Sequence, residues 1–198
     1  LPSHRTLKET GHSQQNFKNS TFIAYAVPVK DECEAKDFID LIKNKHSDAS
    51  HNVSAYLINS DNVLAMKYDD DGEPAGSSGK TLFKVLEMKE LSNVTVVVSR
   101  YFGGIKLGFG GLARAYRETA IAAIESAVII EVHETTSIHI DADYSDIDTI
   151  TKLMPEYGTI KETDYSDIVQ FTLEVYSEFK DEFIEKLIDI TKNRVTIK

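Results

Sequence analysis

Val94-Thr95-Val96-Val97-Val98-Ser99-Arg100-Tyr101-Phe102-Gly103-Gly104-Ile105-Lys106-Leu107-Gly108-Phe109-Gly110-Gly111 sets a β-branched run directly before a glycine loop. Val94–Ser99 alternates little, which predicts a strand buried on both faces. Beyond the loop, Leu112, Ala115, Tyr116, Ala120, Ala123 and Ile124 mark one side of a helix from about Gly111 to Ala127. Glycine lets backbone N–H groups turn toward a ligand, and a helix start adds the positive end of its dipole. Arg100 and Lys106 would supply charge, and Tyr101 and Phe102 stacking faces. The predicted RNA or anion site is therefore Arg100, Tyr101, Phe102, Gly103, Gly104, Lys106, Gly108, Gly110, Gly111 and Arg114, with Lys80 from a second helix start. The plainer alternative is that the glycines serve only tight turns and close helix–sheet packing.

Upstream of this stretch, 22–27 reads as a buried strand stopped by Pro28, followed by a helix from Asp31 to about Lys45. Strands at 53–59 and 63–68 flank Asn59-Ser60-Asp61-Asn62, a hairpin-turn composition. The loop Asp69–Gly79 leads into a helix over about 80–91. Residues 1–19 are polar and predict at most a short edge strand near Arg5–Lys8. Downstream, a strand at 128–132 ends in a polar turn. Then come a strand at 136–143, a helix from Asp146 to Met154 before Pro155, strands at 158–164 and 168–176, a helix at 178–190 and a strand at 194–198. The βαββαβ order of this tail is that of a split βαβ sandwich.

Charge supports a boundary at the same place. Residues 1–134 carry net −3 and residues 135–198 net −7 in half the length. Two domains, 1–134 and 135–198, are expected, in the α+β class. The whole chain of 198 residues carries −10, which argues against a duplex-DNA binder. Any anion site must be local. An apolar fraction of 41% is too high for intrinsic disorder, yet no stretch approaches the roughly 20 apolar residues of a membrane span. The first residues lack the apolar core of a secretory signal, and Cys33 alone cannot form an internal disulfide. A cytoplasmic location follows as the expectation, with no membrane and no cofactor.

Other motifs depend on their contexts. Gly108, Gly110 and Ala113 match the dinucleotide fingerprint formally, but Gly108 lies nine residues past Ser99, too far from the strand end. Gly79-Lys80-Thr81 resembles the end of a P-loop, yet Pro74 stands where the first glycine belongs. Asp70, Asp71 and Glu73 are weak metal candidates, since carboxylates suit hard cations, and a solvated acidic turn is the alternative. His51 is a possible accessory residue beside Asp71 and Glu73, or an ordinary hydrogen-bonding histidine. Arg114 and Arg117 share a helix face and extend the basic patch, or else pair with Glu118 and Glu125.

Taken in order, Ser20-Thr21-Phe22-Ile23, Ala49-Ser50-His51-Asn52, Asp70-Asp71-Gly72-Glu73-Pro74-Ala75-Gly76, Gly79-Lys80, Val98–Gly108 and Gly111-Leu112-Ala113-Arg114-Ala115-Tyr116 strongly resemble the IMPACT/YigZ family. The likeness spans about residues 20–127, and the tail looks like the smaller C-terminal domain of bacterial two-domain members. Val53 stands where cysteine is frequent, and Thr21 where a basic residue is. The resemblance implies a first domain with the fold of a small-subunit ribosomal protein domain and of elongation factor G domain IV. It implies a second that is ferredoxin-like, as in domain V of that factor. It also implies a link to translation, which eukaryotic members regulate by contacting the ribosome-bound activator of an amino-acid-starvation kinase.

The expected function is a non-enzymatic, translation-linked binding protein that contacts RNA or a ribosome-associated protein through Arg100–Gly111. The alternative is a metal-assisted enzyme on a phosphorylated small molecule or nucleotide, with Asp71 and Glu73 holding the metal beside the glycine loop.

Overall fold

The computed structural model describes residues 4–60 and 63–198, so Asp61 and Asn62 of the expected hairpin turn lie outside the described residues. The chain is mixed α and β and divides into two compact units, His4–Glu131 and Val132–Lys198.

In the first unit, β1 (His4–Leu7) pairs with β7 (Ile129–Val132). A five-stranded sheet is built from β2 (Gly11–Phe17), β3 (Ser20–Pro28), β4 (His51–Ser60), β5 (Val63–Asp69) and β6 (Val94–Tyr101), in the order β2-β3-β6-β4-β5. Every pairing in it is antiparallel, which is incompatible with a parallel dinucleotide-binding sheet. Strand β6 is central and buried along its length to Arg100, as its unbroken valine run requires. Val94, Val96 and Val98 face α2 (Gly79–Met88) and α3 (Gly108–Ser126), while Val97 faces α1 (Glu32–Lys45). Phe22, Ala24, Val53 and Ala55 join the first face; Tyr25, Tyr56 and Ile58 lie on the second. Period-2 alternation in three adjacent strands thus serves two cores at once.

Strand β2 was not expected. Its sequence, Gly11-His12-Ser13-Gln14-Gln15-Asn16-Phe17, carries too little apolar signal. It forms because Lys18 and Asn19, both with positive φ (44° and 67°), turn the chain back onto the free edge of β3. Helix α3 opens at Gly108, three residues earlier than the periodicity indicates, and α2 stops at Met88.

In the second unit, β8 (Thr135–Ala142), α4 (Ile147–Tyr157), β9 (Gly158–Tyr165), β10 (Val169–Tyr176), α5 (Lys180–Ile190) and β11 (Thr196–Ile197) follow the βαββαβ order. The antiparallel sheet runs β11-β8-β10-β9. Ile138, Ile140, Phe171, Leu173 and Val175 alternate inward onto Ile150, Met154, Phe183 and Leu187. Helix α4 does not end before Pro155, as expected, but runs through it to Tyr157. A proline so near the end withdraws one hydrogen bond from the last turn without a following turn to break. Three of the aspartates behind the acidic balance are paired: buried Asp146 with Arg194, Asp141 with Lys198, and Asp148 with Lys152. No helix among the described residues is long and apolar enough to cross a membrane.

Candidate functional site

Register assembles the site. Phe22, Arg100 and His51 stand opposite one another across β3, β6 and β4, on the face that receives α2 and α3. Arg100 Nη1 donates to both oxygens of Glu73, at 2.7 and 3.0 Å. The Tyr116 hydroxyl, from α3, donates to Glu73 Oε1 at 2.7 Å. Burial, followed by the Glu73 charge, pushes the Tyr116 phenol well above its ordinary value. His51 Nδ1 lies 2.7 Å from the Asp71 backbone carbonyl, an acceptor only, so this nitrogen carries the proton. Nε2 is thereby turned toward Glu73 Oε2, 3.8 Å away.

The acidic loop between β5 and α2 has its shape because each carboxylate is used. Asp70 accepts from the amides of Gly76, Ser78 and Gly79 and from the Ser78 hydroxyl. Burial raises its pKa, but these four bonds outweigh that and hold the carboxyl below its ordinary value. Two of the donors open α2, whose Ser78 makes no cap bond of its own, so Asp70 acts as the cap from a distance. Asp71 accepts from the Asn52 amide and pairs with Lys43. Only Glu73 points into the site.

Between this loop and the start of α3 lies a cleft of about 460 Å³, lined by Ser50, His51, Glu73, Pro74, Arg100, Phe102, Lys106, Leu107, Gly108, Phe109 and Leu112. Its rim is apolar and open: Phe102 is 47% exposed and Phe109 61%. The first turn of α3 has no side-chain cap and no acidic residue. Lys106 forms no ion pair among the described residues, and the Arg100 guanidinium stacks 5.3 Å from the Phe102 ring.

The predicted set is thus divided. Arg100, Phe102, Lys106, Gly108, His51 and Glu73 line one cleft. Arg100, expected as a free phosphate contact, is 6% exposed and turned onto Glu73, because the Val94–Val98 face of β6 points into the core. Tyr101 falls on the opposite face, where its hydroxyl meets His46 and Asp48. Gly103 is fixed by packing, since a Cβ there would lie 1.9 Å from the Asn19 carbonyl oxygen. Gly104, Gly110, Gly111, Arg114 and Lys80 lie off the cleft lining, and Arg114 pairs with Glu118. The expected Asp71–Glu73 metal pair does not form: Asp70 and Asp71 spend their oxygens on backbone amides, a hydroxyl and Lys43. Among the described residues, no three His, Cys, Asp or Glu side chains converge on a metal-sized site.

Sequence reasoning missed Phe109, Leu107, Leu112, Pro74 and Ser50, which carry no chemical signature. It also missed a chain on the opposite face of the sheet, in which the Tyr25 hydroxyl, both ring nitrogens of buried His46, the Tyr101 hydroxyl and exposed Asp48 connect in steps of 2.9 Å.

The Impact N-terminal domain family matches residues 18–124, which hold β3 through most of α3 and every residue lining the cleft. This chain belongs to the IMPACT family. A second family, the domain of unknown function DUF1949, matches residues 140–194. The IMPACT family member YvyE of Bacillus subtilis is 37% identical over all of this chain and 91% of its own length. The IMPACT family member YigZ of Escherichia coli is 29% identical over 92% of this chain and 91% of its own. A solved protein described as hypothetical superposes with a TM-score of 0.65 at 27% identity, covering all of this chain and 97% of its own.

Proposed function

We propose that this IMPACT family member is a translation-linked regulatory binding protein that takes a protein partner in the glycine-loop cleft, without catalysing a reaction. The observation that carries the reading is the exposed apolar rim. Phe102 and Ile105 on the loop and Phe109 in the first turn of α3 stand in solvent beside a preformed cleft. Clustered exposed aromatics mark interaction surfaces and serve as anchors there. The buried charge of Arg100 is already balanced by Glu73, which favours a protein over a phosphate backbone. Family membership supports the translational side, as the resemblance of residues 20–127 implies. The β11-β8-β10-β9 order supports reading residues 135–198 as a ferredoxin-like domain.

The test is recovery of partners from lysate by the full chain, with and without nuclease, beside a Phe102→Ala/Phe109→Ala variant. The expected result is a protein partner that survives nuclease and is lost with the variant. Loss on nuclease treatment replaces this reading with the RNA one. Full retention by the double variant removes the cleft from the function.

A further inference from the structure

We infer that the cleft docks an acidic segment of a partner protein, with a large apolar side chain in the cleft and carboxylates over the cations around it. This deepens the docking proposal, and rests on it, by naming the chemistry of the partner. The distribution of charge carries the inference. Residues 79–117 hold seven basic and two acidic side chains, net +5, in a chain of net −10. Of these, Lys80, Lys84, Lys106 and Arg117 are exposed and form no ion pair among the described residues. The fold gathers them at one end of the two helices. Lys89, just past the end of α2, pairs with Glu125 near the end of α3 at 3.0 Å, so the helices run side by side in the same direction. Their starts therefore share the end at which the cleft opens, where Gly108 and Phe109 of α3 and Pro74 of the loop entering α2 line it.

Helical spacing places these charges outward. Leu82, Val85 and Leu86 of α2 and Leu112, Ala115 and Tyr116 of α3 are buried against the sheet. Lys80 and Lys84, and Arg114 and Arg117, are four and three residues apart on the opposite, exposed sides. Arg114 pairs with Glu118, but Glu125 is taken by Lys89, which leaves Arg117 to solvent. The acidic side chains of both helices, Glu87, Glu118 and Glu125, lie from their middles onward, away from the cleft. Complementary charge steers a partner in and rejects one of the wrong sign. The apolar half of the partner is set by exposed Phe102, Ile105 and Phe109, beside a cleft of about 460 Å³ that can desolvate an anchoring side chain. A short acidic segment touches only this positive end. A nucleic-acid backbone extends past it, and the rest of the chain, at net −15, repels it. Ile105 and Leu107 are aliphatic besides, and suit an anchoring side chain better than a stacked base.

The experiment is fluorescence anisotropy of the full chain at low salt with four labelled probes. These are a short peptide of glutamates with a phenylalanine and two leucines, the same peptide with lysines for glutamates, the same with serines for the apolar residues, and oligouridine. The first is expected to bind at least about tenfold more tightly than each of the others, a difference of about 1.4 kcal/mol, and to weaken as salt rises. Lys106→Glu/Arg117→Glu should move the preference to the lysine peptide with an unchanged melting temperature, since both side chains are exposed. Equal binding of the glutamate and lysine peptides, or no change in preference in that variant, overturns the inference. Tighter binding of oligouridine overturns it in favour of RNA. The partner-recovery assay separates its failure from that of the docking proposal. Recovery lost in Phe102→Ala/Phe109→Ala but unchanged in Lys106→Glu/Arg117→Glu means that docking stands and the acidic chemistry is wrong. Recovery unchanged in the phenylalanine variant removes the docking proposal, and this inference with it.

Discussion

Arg100 and Glu73, 27 residues apart in sequence, form an ion pair in which the two side chains are 7% and 3% exposed. It ties the acidic loop to the end of the central strand and forms the floor of the cleft. Removing one partner of such a pair strands a buried charge, which costs about 3–5 kcal/mol. Glu73→Ala is therefore expected to lose that much in denaturant unfolding. A loss below about 1 kcal/mol would show that Arg100 reaches water when unpaired.

Asp70 caps α2 from outside the helix, accepting from Ser78 and Gly79. Asp70→Ala should cost about 1–2 kcal/mol, as loss of an N-cap does. The sign of its pH dependence follows from the lowered folded pKa: the unfolded chain binds the proton first as pH falls. Its contribution is complete above the ordinary value of 3.8 and is lost as pH drops through the folded value. Comparing the acid unfolding limbs of the wild type and the variant checks this. Parallel limbs contradict it.

His46 titrates with a different consequence. Burial, and then the neighbouring Lys45, hold its pKa below 6.5, with Asp48 opposing. The unfolded chain again takes the proton first, so the neutral ring stabilises fully above about pH 6.5 and progressively less below it. Stability measured at pH 7.5 and 5.5 should fall more in the wild type than in His46→Gln. Equal falls would mean that the Tyr25–His46–Tyr101 chain accommodates the imidazolium.

Gly110 sits in the first turn of α3, with helical backbone and nothing within 4 Å of where a Cβ would lie. Alanine is favoured over glycine there by up to about 1 kcal/mol. Gly110→Ala is expected to raise the melting temperature. A decrease would show that the loop entering α3 needs glycine's freedom in a conformation other than this one.

What the sequence determined by itself was whatever is written in short-range pattern. The valines of 94–98 demanded burial on both sides, and the alternation of Val169, Phe171, Leu173 and Val175 set one face of the tail's sheet inward. The α+β class and the strand–glycine–helix passage followed from such local periodicities, as did the family from the order of its motifs. Strand β2 escaped because its stability comes from the edge of β3, not from its own polar residues. The site was legible as a neighbourhood but not as chemistry. Arg100 and Tyr101 are adjacent in sequence, yet a strand's period of two sends one to Glu73 and the other to His46. Asp70, Asp71 and Glu73 look alike in sequence, and only the path of the loop makes the first a helix cap, the second a strand anchor and the third a buried counter-charge. Side-chain direction and partner choice are settled by register and loop closure, and these belong to the tertiary structure.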